Sequence, residues 1–315
     1  MMRRLSSVVV AVVSVFVVVL FALATPAAQA APAAGPETSS FVVAAGYSLG
    51  HPDASPPGAN DWSCRPGAAH PRPVVLVHGT WENRYDNWAK LAPVLKRDGY
   101  CVFALNFGDT DEDLASVPPV LKGTSDIRRS AKELATYVDQ VLAATGTSQL
   151  DIVGHSQGGM MPRQYLRFEG GTGKVATLVT LGSTHHGTTL DGIGTLARTL
   201  GVIGLSGPFI GVAGEQQVRG SQFLADLNAG GDTEPGVHYT VIATRYDEIT
   251  TPYDSTFLTP GPGATVDNIT LQDGCPLDLS DHLSMSYSPR AIGYVRRALD
   301  PAAGAPPCLP NLPVV

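Results

Sequence analysis

Apolar positions along this chain fall into two alternating patterns. Short, mostly β-branched runs at residues 73–77, 101–105, 150–153, 175–181 and 237–243 read as strands, with a shorter one at 269–271. Between them, apolar residues step by three and four. Trp88, Leu91 and Leu95 mark one face of a helix over 88–98, with Gly99 just past its end. Ile127, Ala131, Leu134, Val138, Val141 and Leu142 make a second stripe, for which Ser125 is the expected cap and Gly146 the stop. Residues 160–168 and 290–299 read as further helices. Strands that are apolar throughout belong to a sheet covered on both faces, and their alternation with helices predicts a mostly parallel α/β layer structure.

Three stretches break the alternation. Residues 31–60 are rich in Ala, Pro, Gly and Ser without a lasting period, and read as a loose amino-terminal arm. Residues 190–223 are Gly-rich yet apolar, with Ile193, Leu196, Leu200, Val202, Ile203, Leu205, Phe209 and Ile210. That pattern fits ordinary packing or a cap over a pocket. After Pro301 the chain is Pro-rich and reads as irregular, tied by Cys308; 309–315 form a tail. One domain over 61–308 is expected between arm and tail.

The first thirty residues carry a different signal. Arg3 and Arg4 precede an apolar run from Val8 to Ala24 interrupted by Ser14, and Ala28-Gln29-Ala30 follows. Charged start, apolar middle and A-x-A end make a secretory signal, with cleavage expected after Ala30. A membrane anchor is the rival reading, since the run is near the short limit for spanning. Without Arg3 and Arg4 the chain carries 19 basic and 28 acidic side chains, a charge of −9. No basic stripe remains, which argues against a nucleic-acid partner. At 315 residues, 43% hydrophobic and 16% charged, the chain is neither a disordered polymer nor a small disulfide knot. Export makes the even cysteine count read as two disulfides. Of the three connectivities, Cys64–Cys101 and Cys275–Cys308 are favoured because each closes a modest loop; a metal site is disfavoured because no C-x-x-C pair exists. Asn268-Ile269-Thr270 has the spacing of a glycosylation sequon, read here as fortuitous. Asp109, Asp111, Glu112 and Asp113 read as a solvated acidic loop.

The chemistry centres on Gly154-His155-Ser156-Gln157-Gly158, a G-x-S-x-G sequence between an expected strand and an expected helix. In that context the serine sits on a sharp turn with its hydroxyl exposed. A serine hydroxyl needs a base, and the order in this kind of site is Ser, then Asp or Glu, then His. His51, His70, His78 and His155 precede Ser156. His185 and His186 leave too little chain for an acid on a later strand, and His238 opens a strand. His282 remains as the base. The orienting acid should lie past the strand ending near Thr244. Asp247 is the first candidate, Asp254 a rival and Glu248 a weaker one. Oxyanion donors are expected at the Gln157 amide and at Thr80, in the loop His78-Gly79-Thr80-Trp81 after the first strand.

These residues, with Leu181-Gly182-Ser183-Thr184-His185-His186-Gly187-Thr188 and Asp281-His282, resemble secreted bacterial lipases of the α/β-hydrolase fold. The Asp247 and His282 segments also resemble fungal lipases of the lipase B type. The resemblance covers roughly residues 62–308. It implies a carboxylester hydrolase acting on acylglycerols, with Ser156, Asp247 and His282 as triad and Thr80 and Gln157 as oxyanion site, and it supports both disulfide pairings. Residues 190–223 do not match it, so acyl-chain preference and a lid are left open. No metal or organic cofactor is expected, and the partner is a lipid or other ester, presented at an oil–water interface in the lipase case. A short-chain esterase, a polyester depolymerase or an acyltransferase would use the same machinery. A catalytically inactive exported binding module is the alternative from another class.

Overall fold

The computed structural model describes residues 33–109, 118–200 and 211–314. The expected signal segment, the acidic residues Asp111, Glu112 and Asp113, and Val202 to Ile210 of the expected cap lie outside the described residues. Ala31–Val315 forms one compact unit.

Its core is a six-stranded parallel sheet: β1 (Val74–Val77), β2 (Val102–Leu105), β3 (Leu150–His155), β4 (Val175–Leu181), β5 (His238–Ala243) and β6 (Thr265–Thr270), in the order β2-β1-β3-β4-β5-β6. The apolar runs divide between two covering layers by the period-2 geometry of a strand. Val75 and Val77 pack on one face, with Ile127, Leu134 and Val138 of α4 (Ile127–Thr145) and Met160 and Met161 of α5 (Gln157–Phe168). Val74 and Leu76 pack on the other, with Trp88 at the end of α2 (Arg84–Trp88), Leu91 and Leu95 of α3 (Leu91–Arg97), and Ile292 and Val295 of α9 (Pro289–Leu299). Burial on both faces leaves little room for a polar alternation, which is why β1 and β2 are apolar throughout and β3, β4 and β5 mostly so.

Register decides where the functional loops go. Val77 pairs with Leu105 and Gly154, His155 with Leu181, Leu181 with Ile242, and Ala243 with Thr270. The loops leaving β1, β3, β4, β5 and β6 therefore emerge at one edge. Strand order reverses between β1 and β3, so a crevice opens there, at the carboxyl ends of the strands.

Several boundaries differ from the sequence reading. The arm read as loose contains α1 (Phe41–Gly50), capped by Ser40, with Phe41 and Ala44 buried among Trp81, Tyr85, Leu283 and Tyr287. The single helix expected over 88–98 is two. Pro93 lacks an N–H for the carbonyl of Ala89 and its ring collides with that carbonyl, so α3 must start anew with Pro93 in its first turn. Asp126, not Ser125, caps α4, accepting from the Arg128 amide at 2.7 Å; Ser125 donates to the Asp109 carbonyl instead. Strand β6 begins at Thr265 rather than 269, because an edge strand exposed to water needs no apolar run. The Asn268 side chain donates to the Leu258 carbonyl and accepts from its amide, pinning that loop to β6. The 190–223 segment includes α6 (Leu190–Thr199), α7 (Gly211–Gln216) and part of α8 (Gln222–Asn228), packed at least in part as ordinary core through Ile193, Leu196, Ala213 and Phe223.

Both disulfides pair as expected, Cys64 with Cys101 and Cys275 with Cys308. The second brackets the loop that carries His282. Beyond it the tail is irregular yet fastened: the Leu279 amide donates to the Asn311 carbonyl, and the Asn311 amide donates to Ser280 Oγ and the Ser284 carbonyl. Cutting a loop closed over 33 residues removes a constraint on the unfolded chain. The double variant Cys275→Ala/Cys308→Ala is expected to lose about 4 kcal/mol of stability by the chain-entropy account. Urea unfolding checks this, and a midpoint equal to that of the parent chain would contradict it.

Candidate active site

The turn from β3 into α5 holds Ser156 at φ 54° and ψ −125°, a left-handed backbone that a side chain adopts only under strain. Crowding produces it. A Cβ on Gly154 would lie 2.0 Å from the Gly158 carbonyl oxygen, and one on Gly158 would lie 2.2 Å from that of Val77. Only glycine at both places lets strand, turn and helix pass this closely. Gln157 is the first helical residue, so its amide is one of the N–H groups that a helix start leaves without an intrahelical acceptor.

Across the crevice lies the loop after β1. Its His78 is locked by two bonds: the Phe107 amide donates to Nε2 at 3.3 Å, and Nδ1–H donates to the Gly79 carbonyl at 2.8 Å. Burial lowers the His78 pKa to about 4, so the ring is a neutral strut. Next to it, Thr80 Oγ1 donates to Gln157 Oε1 at 3.2 Å and accepts from Gln217 Nε2 at 2.8 Å. The two expected oxyanion residues are thus in direct contact. No carbonyl accepts from the Thr80 amide among the described residues.

The expected base and acid meet beyond β4. Asp247 follows β5, and the amides of Ile249 and Thr250 donate to its Oδ1 at 3.0 and 2.6 Å. His282 Nδ1 lies 3.0 Å from each Asp247 oxygen, and the ring is fully buried. In the neutral ring, Nδ1–H donating to the carboxylate leaves the lone pair on Nε2, which has no hydrogen-bond partner among the described residues. The rivals fall elsewhere. Asp254 is exposed in the 3₁₀ turn Tyr253–Thr256, and Glu248 accepts from the His282 main-chain amide at 3.3 Å rather than from its ring. Burial pulls the His282 pKa down most strongly, but the charge and hydrogen bond of Asp247, helped by Glu248 and Glu82, outweigh it and raise the value to about 9.

Two contributors carried no sequence signal. Gln217 is buried between Thr80 and Thr184, wiring the segment expected as a cap into the loop after β1. Glu82 is buried beneath Gly79, with His155 against it. Both act by contacts across the fold, and neither belongs to a local motif. A cavity of about 770 Å³ lies away from this site, where His238 and Thr265 begin β5 and β6.

Comparison with known proteins fits this geometry. Residues 71–260 match the family model for class 2 lipases. Over 125 residues, 38% of this chain, the sequence is 33% identical to a triacylglycerol lipase of Pseudarthrobacter phenanthrenivorans, covering 35% of that protein. A triacylglycerol lipase of Burkholderia plantarii is also 33% identical over 125 residues, with 31% of its length covered. The match thus spans about a third of these curated relatives. Among solved structures, Aspergillus fumigatus lipase B superposes with a TM-score of 0.61 at 19% identity, over 80% of this chain and 57% of that one. The mature Bacillus licheniformis lipase gives 0.51 at 18%, over 75% and 94%. At such identities the likeness shows the fold, that of an α/β-hydrolase.

A raised pKa in the folded state has a defined sign. The His282–Asp247 pairing stabilises the fold fully below the ordinary value of 6.5, and that contribution fades as pH rises through about 9. Histidine NMR titration is expected to show His282 ionising above 6.5, and Asp247→Asn is expected to move the midpoint down. An unmoved midpoint in that variant would contradict the pairing.

Proposed function

The chain belongs to the class 2 lipase family, and from that premise we propose that it is an exported serine carboxylester hydrolase, in the first place a triacylglycerol lipase. The observation that carries the reading is the hold of Asp247 on His282 Nδ1, which leaves Nε2 as the proton acceptor. In this mechanism Ser156 Oγ attacks the ester carbonyl carbon while Nε2 takes the hydroxyl proton. The carbonyl oxygen becomes an oxyanion and accepts from the Thr80 and Gln157 amides, a kind of contact worth about 3 kcal/mol per donor. Collapse of the tetrahedral intermediate breaks the bond to the alcohol, which leaves with the proton from His282. An acyl-serine remains. Water then attacks it, giving its proton to Nε2, and the fatty acid departs as the serine is restored. Asp247 steadies the imidazolium at both protonation steps without taking the proton.

Export is supported by the charged, apolar and A-x-A sequence of residues 1–30 and by the two disulfides, which persist in oxidising surroundings. No helix among the described residues is long and apolar enough to cross a membrane. The triacylglycerol lipase reading of the substrate is supported by the family and by the names of the curated relatives.

Three measurements test the proposal. Ser156→Ala is expected to abolish p-nitrophenyl ester hydrolysis in a folded protein, and retained turnover would refute the mechanism. Since His282 accepts a proton only when neutral, kcat/KM is expected to rise with pH along a limb whose midpoint lies above 6.5. A rate that stays flat from neutral pH into acid would count against His282 as base. Emulsified triolein is expected to be hydrolysed as well as tributyrin; activity on tributyrin alone would replace the lipase by a short-chain esterase.

A further inference from the structure

Glu82 sits at the centre of the site without belonging to the triad. It is 1% exposed, and its Oε2 accepts from the Gly79 amide at 3.0 Å. The same oxygen lies 2.8 Å from Nδ1 of His155, the residue before Ser156. At the far end of that ring, Nε2–H donates to the main-chain carbonyl of His282 at 2.9 Å. The rings of His155 and His282 pack with centroids 4.8 Å apart. Asn87 closes the arrangement: its Oδ1 accepts from the Gly79 amide at 3.2 Å, and its Nδ2 lies 3.1 Å from His155 Nδ1.

One carboxylate oxygen therefore touches the loop bearing Thr80 and the elbow bearing Ser156, and reaches the loop bearing His282 through a single imidazole. The fit is tight, since a Cβ on Gly79 would fall 2.1 Å from Oε2. Burying a carboxylate costs several kcal/mol, and an apolar residue of similar size often serves stability as well or better. A role in packing alone gives no reason for an acid here. We propose that Glu82 is a positioning residue, which through His155 fixes the oxyanion loop, the nucleophile elbow and the main chain of His282 relative to one another. The inference rests on the catalytic reading of Ser156 and His282 given above.

The charge of Glu82 also reaches the base. His282 is faced by Asp247 and Glu248 from the loop after β5, by Glu82 from the loop after β1 and by His155 from β3, with Asp281 beside it in the chain. Asp247, Glu248 and Glu82 each favour its protonated form. On α2, burial and then the charge of Glu82 push the Asp86 carboxyl well above the usual carboxylate range.

Glu82→Gln keeps the size and removes the charge. With a p-nitrophenyl ester, kcat is expected to fall about a hundredfold, the scale of misplacing reacting groups by an ångström, with KM within about twofold. The rising limb of kcat/KM is expected to move to lower pH, and the thermal midpoint to stay near that of the parent. An unchanged kcat or an unmoved limb in the folded variant overturns the proposal. If Glu82→Gln does not fold, His155→Gln is expected to lower kcat at unchanged KM, and an unaffected kcat overturns it equally. A parent enzyme without ester turnover removes the catalytic premise, whereas an active parent with an indifferent Glu82→Gln removes this inference alone.

Discussion

Every feature of the site depends on the crowding where β3 turns into α5. Gly154 and Gly158 have no side chains there because the Gly158 and Val77 carbonyls occupy the space. The turn that results forces Ser156 into a left-handed backbone and sets Gln157 at the start of a helix. The same closeness brings β3 beside β1, and the parallel register then delivers Thr80, Asp247 and His282 to the same edge. The loops that carry these residues therefore start from a common edge, because the sheet has already aligned their origins.

Electrostatics builds on that geometry in a dry setting. His155 and His282 are fully buried, and Glu82, Asp247 and Asp281 are buried around them. Burial alone would strip the proton from His282, and the carboxylates reverse that tendency. The result is a base biased toward its charged form. Such a bias stabilises the imidazolium and makes the ring a stronger base, at the cost of a smaller neutral fraction at neutral pH. Two main-chain amides hold the Asp247 carboxylate, so its orientation does not depend on the histidine beside it.

The parts of the fold legible in the sequence are those governed by local rules. The runs at β1, β4 and β5 were readable because burial on both faces favours apolar and β-branched residues. Ser156, Asp247 and His282 could be nominated because a glycine-bounded elbow and an assumed chain order narrow the choices, and the Asp247 carboxylate lies against the His282 ring. What escaped depends on contacts distant in sequence or on the absence of burial. Helix α1 was hidden by an Ala- and Gly-rich composition, and its place is set by Phe41 and Ala44 meeting Tyr85 and Tyr287. The start of β6 was hidden because Thr265, Asp267 and Asn268 face water. Glu82 and Gln217 were invisible for a different reason, since each is defined by which main-chain and side-chain atoms it meets rather than by its neighbours in the chain.

The strap over the histidine loop has a consequence for when the molecule is complete. Cys275 and Cys308 bracket that loop, and beyond Cys308 the tail returns to it: Asn311 binds Ser280 and Ser284, and the Val314 amide donates to Asp281. Thiols stay reduced in a cytosol, so the Cys275–Cys308 pair closes only in oxidising surroundings. Oxidation of this pair is the step that fastens the loop bearing the imidazole covalently, and with the thiols reduced that loop is held to the tail by hydrogen bonds alone.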